Sequence, residues 1–134
     1  FKLNTTSPVY QLQRRETFRI KIPSSYKMQF EFIATDNIFN IDRFEKNNVI
    51  DFSAGGCKLH IRESHYLKPN TEIQGILHIP EHENISSKVR ICYVQNDPTK
   101  KNYQFIGVQF VEMTEIQKNK LAALVMDLYR EFFT

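Results

Sequence analysis

At 134 residues the chain has the size of a single domain and is long enough to bury one core. Its 41% apolar and 25% charged residues are ordinary globular proportions and exclude a chain disordered throughout. No apolar run approaches the roughly 18 residues that a spanning helix needs, and residues 1–8 lack the apolar stretch of a signal peptide, so no direct membrane insertion is expected.

Cys57 and Cys92 are too few for a disulfide framework and fit a reducing, cytoplasmic compartment. The first residue is Phe1 rather than Met, from which a larger protein with a further domain upstream is expected. The net charge of +3 is unevenly spread. Residues 1–30 hold six basic groups (Lys2, Arg14, Arg15, Arg19, Lys21, Lys27) against one acid, Glu16, a balance of +5. The remaining 104 residues hold 12 basic and 14 acidic groups, a balance of −2. A focused cluster on a weakly basic chain fits a small anion better than a general DNA coat, whose basic surface is broader.

Along the chain, residues 1–13 surround Ser7-Pro8 with polar residues and lack apolar periodicity, the pattern of a linker or switch segment. The folded domain is expected over 14–134. From Thr17 to Val111 the apolar residues recur with period two. Phe18, Ile20 and Ile22 alternate with Arg19 and Lys21 until Pro23 ends the run, and Met28, Phe30 and Phe32 alternate with Gln29 and Glu31. Further strands are expected at 38–44, 48–52, 57–61, 73–79, 88–95 and 103–111. Turn residues separate them at 35–37, 45–47, 69–70, 80–87 and 96–101. Many short strands with close turns point to a barrel or sandwich.

The period then changes to that of a helix, expected over about 114–132. Thr114 can cap it, with Gln117 in the capping-box position three residues on. Ile116, Leu121, Leu124, Val125, Leu128 and Phe132 form one apolar stripe, which Tyr129, Phe132 and Phe133 can extend into a contact with a second copy. A barrel with this helix laid on it is the economical arrangement.

Two segments carry candidate chemistry. In Arg14-Arg15-Glu16-Thr17-Phe18-Arg19 the loop enters the first strand, so Arg15 and Arg19, four residues apart, can converge on one ligand. Guanidinium forks match phosphate oxygens and the O6/N7 edge of guanine; a solvated basic strand has the same composition. In Asp51-Phe52-Ser53-Ala54-Gly55-Gly56 the paired glycines allow a sharp turn or close approach of a ligand, with Asp51 and Ser53 supplying an acceptor and a hydroxyl. An ordinary turn uses those residue types as well.

Taken in order, the two segments reproduce the signature of the PilZ family, RxxxR as Arg15-x-x-x-Arg19 and DxSxxG as Asp51-x-Ser53-x-x-Gly56. Gly107-Val108-Gln109-Phe110 followed by an amphipathic helix resembles that family's ending, and Tyr10-Gln11-Leu12-Gln13-Arg14-Arg15-Glu16 resembles the PilZ half of flagellar-brake-type proteins. The resemblance spans residues 12–132. It implies a mainly β fold, a six-stranded antiparallel split barrel with a C-terminal α-helix, and a cytoplasmic bacterial receptor for cyclic di-GMP without catalysis of its own. It implies ligand binding by Arg14, Arg15, Arg19, Asp51, Ser53, Gly55 and Gly56, and a downstream protein target in the flagellar motor or the exopolysaccharide machinery. An arginine just before RxxxR, here Arg14, resembles members that bind the ligand as an intercalated dimer.

No cofactor or metal is expected: His60, His65, His78 and His82 match no zinc spacing, and Cys57 and Cys92 form no CxxC. Cys57 is expected to pack as a small apolar residue. Ser53, His60 and Asp51 make a triad only on paper, since no GxSxG elbow surrounds Ser53. The competing classes are a nucleic-acid-binding barrel of the OB kind and a PilZ module that binds only proteins. Against the first, the 11 Phe and 6 Tyr mostly alternate as core residues rather than forming an exposed ladder interleaved with cations, so no nucleic-acid partner is expected. Against the second, both motifs are intact.

Overall fold

The alternation of apolar and polar residues becomes seven strands in the computed structural model, which describes residues 18–33, 46–63 and 67–133. They are β1 (Arg19–Lys21), β2 (Gln29–Ile33), β3 (Lys46–Ser53), β4 (Gly56–Arg62), β5 (Glu72–His78), β6 (Ile85–Asn96) and β7 (Tyr103–Val111), followed by helix α1 (Glu115–Phe133). The strand expected at 38–44 and the linker over 1–13 lie outside the described residues. Two boundaries differ from expectation. Residues 45–47 were expected to turn, yet β3 already begins at Lys46, because Lys46 and Asn47 pair with Glu31 and Phe30 and the Asn47 amide donates to the Phe30 carbonyl at 3.3 Å. Likewise β6 begins inside the expected turn 80–87, where Ile85 pairs with Leu77.

All pairings are antiparallel, in the order β1-β3-β2-β5-β6-β7-β4, and β4 returns to β3. Strands β2 to β7 thus close a six-stranded barrel, leaving β1 as an added strand. Strand β3 makes this possible by splitting one edge between two partners. Its first residues, 46–48, pair with β2, and its last, 51–53, pair with β1. Closure removes the exposed sheet edges that an open β-structure would have to protect.

One cluster of buried residues fills the barrel and continues under the helix. Phe30, Phe52, Leu59, Leu77, Val89, Ile91 and Ile106 are fully enclosed. Helix α1 adds Leu121, Ala122, Val125 and Leu128, and packs on β1 and β3. Most helical stability in proteins comes from packing an amphipathic face, here from those buried side chains, each large one worth about 1.5–3 kcal/mol. Its start is closed by the expected capping box: the Gln117 N–H donates to Thr114 Oγ1 at 3.1 Å, and the Thr114 N–H donates to Gln117 Oε1 at 2.9 Å. The expected stripe is corrected at one end, for Ile116 is 72% exposed. At the other end, aromatic residues meet the chain's own N-terminal strand. Phe18 stands edge-on to Tyr129 with centroids 5.4 Å apart, and Tyr26 edge-on to Phe132 at 4.9 Å.

The connection from β6 to β7 is pinned to β4 by Asp97. Its Oδ1 accepts from the Thr99 N–H and hydroxyl, each at 2.8 Å, and its Oδ2 lies 2.8 Å from His60 Nε2. The Thr99 backbone N–H above all, then its hydroxyl and His60, hold the Asp97 carboxyl below its ordinary 3.8, at about 2. A folded-state pKa below the unfolded value stabilises the fold above pH 3.8, and that contribution disappears as pH falls through about 2. In acid-denaturation curves, Asp97→Asn is therefore expected to flatten the loss of stability across that window; a curve parallel to wild type would show that the carboxylate contributes nothing.

Candidate functional site

The outer wall of the barrel brings Arg19 of the first motif beside Asp51 of the second. Register places Arg19 opposite Ser53 and Lys21 opposite Asp51 across β1 and β3. Residues directly opposite share a face in an antiparallel pair, and Arg19, Lys21 and Asp51 all reach the surface while Ile20 and Phe52 point inward. A guanidinium nitrogen of Arg19, Nη1, donates to Asp51 Oδ1. The Arg19 side chain is still 48% exposed and Asp51 17%. An exposed pair of this kind contributes at most about 1 kcal/mol to folding. It is cheap to rearrange, and its fork keeps donors for a ligand.

The hairpin joining β3 to β4 is built from the second motif. Ser53 is 1% exposed. Its hydroxyl accepts from the Gly55 N–H at 3.2 Å and donates to the Gly56 carbonyl at 3.3 Å. Ser53 was expected to face a ligand; here its hydroxyl is committed to the turn. The Gly55 carbonyl accepts from the Phe110 N–H at 2.9 Å, tying the turn to β7. Gly56 has a reason unrelated to positive φ: a Cβ there would stand 2.1 Å from the Val108 carbonyl oxygen. Its bare backbone lets β7 approach at this point.

Further residues join this surface by register. Asp51 is opposite Lys58, Lys58 opposite Gly107, and Gly107 opposite Tyr93. Lys21, Asp51, Lys58, Gly107 and Tyr93 therefore form one row across five strands. The row depends on two register shifts, between Val49 and Asp51 and between Ile91 and Tyr93; such bulges re-aim side chains. Gly107 leaves a gap that the Tyr93 ring covers, since a Cβ at that position would lie 2.1 Å from Tyr93 Cε2. Burial, and after it the Asp51 carboxylate, push the Tyr93 hydroxyl above its ordinary pKa, while Arg19 pulls it down. The phenol thus lies within electrostatic reach of both motif residues. No motif in the sequence marks Lys58 or Tyr93; only the paired glycine and the shifted register bring them here.

Arg14 and Arg15 fall outside the described residues. Cys57 packs in the core, as expected, and burial raises its thiol pKa far out of the reactive range. His60 pairs with Asp97 and His78 with Glu31 at 2.8 Å, and no group of three metal-ligating side chains exists among the described residues. Nor is any described helix long and apolar enough to cross a membrane.

With this geometry, the chain matches the PilZ domain family over residues 13–127. No curated protein matches it. Among solved structures it is similar to the PilZ domain of YcgR from Escherichia coli with c-di-GMP, with a TM-score of 0.69 and 15% identity, covering 85% of this chain and 90% of that one. MrkH from K. pneumonia, described as a c-di-GMP dependence transcription regulatory factor, gives a TM-score of 0.69 at 17% identity over 84% of this chain and 50% of that one. The Bacillus subtilis inhibitor of motility MotI gives 0.63 at 13% identity over 87% and 51%. The chain thus spans about half the length of MrkH and MotI. At these identities the likeness is one of fold.

Gly56→Ala tests the packing role. Forcing a methyl against the β7 backbone is expected to cost roughly 1–3 kcal/mol, read as a lower denaturant midpoint; an unchanged midpoint would show that β4 and β7 separate freely at this point.

Proposed function

Because the chain belongs to the PilZ domain family, we propose that it is a receptor for cyclic di-GMP. The observation that carries the reading is the Arg19–Asp51 pair, one residue from each motif, joined across β1 and β3 on the outer wall. The similar YcgR and MrkH structures include complexes with the same ligand.

Cyclic di-GMP is a dianion with two guanine edges, and the surface answers both features. Arg15 and Arg19 embrace a phosphate and a guanine O6/N7 edge. Asp51, already within reach of Arg19, either accepts from guanine N–H groups or keeps that guanidinium aimed. Lys21 and Lys58, on the same row, add positive charge. Ser53, Gly55 and Gly56 contribute by shaping the hairpin that carries Asp51. Arg14 supplies the extra cation that two stacked dianions require, so two ligands bind per chain.

Binding neutralises the clustered arginines and orders the segment that carries them over the barrel, its entropy cost offset by phosphate contacts. That rearrangement carries the signal to a downstream protein governing motility, biofilm or exopolysaccharide. The chain acts as a non-catalytic cytoplasmic effector.

Calorimetric titration with cyclic di-GMP at low salt tests this. Saturable binding of two ligands per chain is expected, with Arg14→Ala lowering the stoichiometry to one. Arg15→Ala and Arg19→Ala each weaken affinity by roughly 5- to 150-fold, the worth of a bidentate arginine–guanine pair. Absence of binding heat from the wild-type chain overturns the reading.

A further inference from the structure

A second surface, one step along the same wall, carries cations interleaved with aromatic rings. On β4, Lys58, His60 and Arg62 occupy alternate positions and so share the outer face, about 6.8 Å apart. Opposite them on β7 stand Phe105, paired with His60, and Tyr103, paired with Arg62. Both rings are only half-buried on the outside of the barrel, against the general expectation that most aromatics lie in the core. Lys58 Nζ lies 4.7 Å over the Phe105 ring, Lys100 Nζ 3.9 Å over Tyr103, and the Arg62 guanidinium 6.0 Å from Tyr103. The His60 ring stacks on Tyr103 with centroids 5.1 Å apart and an interplanar angle of 27°. Lys46 of β3 and Lys101 of the β6–β7 connection line the adjoining depressions, which share Arg62 and Tyr103.

We infer that this face binds single-stranded nucleic acid. The inference shares Lys58 with the cyclic di-GMP row but otherwise rests on different residues, Arg62, Lys100, Tyr103 and Phe105 rather than Arg19 and Asp51. Among the described residues the acids nearby are mostly committed. The Asp97 side chain is 6% exposed and bound to His60 and Thr99; Asp51, opposite Lys58, pairs with Arg19; Glu31, opposite Lys46, pairs with His78; and Glu63 sits at the rim beside Arg62. The exposed balance is therefore positive. The rings hold the cations in place, so less side-chain freedom is lost when phosphates bind. The aromatic faces distinguish this partner from an acidic peptide: a base gains more by stacking on an exposed ring than the ring's lysine gains from its cation–π contact. A carboxylate chain has nothing to offer those rings.

The test is fluorescence anisotropy of a labelled oligothymidylate of about 15 nucleotides titrated with the whole chain at about 20 mM salt. Saturable binding is expected. With three phosphates neutralised, raising salt from about 50 to about 200 mM weakens it roughly 20-fold. Combining Arg62→Glu with Lys100→Glu, both at exposed positions, reduces affinity by at least about tenfold while the thermal midpoint and the cyclic di-GMP titration stay as in wild type. Lys100→Ala alone, in a connecting loop, weakens binding in the same direction and guards against a folding defect in the double variant. No saturable binding at low salt, unchanged affinity in the double variant, or equal affinity for a poly-glutamate peptide would each overturn the inference.

Discussion

Closure of the barrel rests on one strand having to satisfy three neighbours. Strand β3 uses its 46–48 end for β2, its 51–53 end for β1, and its other edge for β4. Backbone donors and acceptors in a sheet must be paired or solvated, so this division decides where β1 can lie. It puts the strand entered from the arginine segment directly beside the strand that carries Asp51. Arg19 and Asp51 are neighbours because β1 takes the end of the β3 edge that β2 leaves free.

The same constraint gives the hairpin residues a structural task. Between β3 and β4 the chain must reverse and also admit the backbone of β7. Ser53 holds the reversal, and Gly56 leaves room for the Val108 carbonyl. Only Asp51 of that motif reaches outward to a charged partner. Energetics separate the two roles as well. The Arg19–Asp51 pair is exposed and worth little to folding, which suits a contact that must rearrange around an anion. Asp97, with several donors fixed on its carboxylate, anchors a loop instead.

On the outer wall, function depends on what the barrel shape leaves uncovered. Along β7, Tyr103, Phe105 and Gly107 share the outward phase, while Ile106, Val108 and Phe110 are buried. Rings therefore line the outside as well as the inside. Gly107 and the bulge at Ile91/Tyr93 lower the wall locally, so Tyr93 lies across it toward the Asp51 row. The result is a continuous surface from the arginine–aspartate pair to the lysine-covered rings.

Local pattern was enough for the strands, the helix and its cap, and the two motifs. Period-two alternation, turn residues and a capping box depend only on near neighbours in the chain. The start of β3 was misplaced because polar Lys46 and Asn47 join the sheet through partners on β2 rather than through their own propensity. Ile116 carries the right residue for the stripe, but it lies exposed. The outward phase of Tyr103 and Phe105 is not legible locally because β7 carries apolar residues at both phases, Phe105 beside Ile106, and a run of that kind does not show which phase faces in. The sequence by itself therefore determined the elements, the family signature and the concentration of positive charge near the N-terminus. Register, the two bulges and barrel closure decided that Arg19 meets Asp51, that Lys58 and Tyr93 join them, and that the rings of β7 face solvent. Those contacts lie between residues far apart in the chain, and no local pattern records which strands will be neighbours.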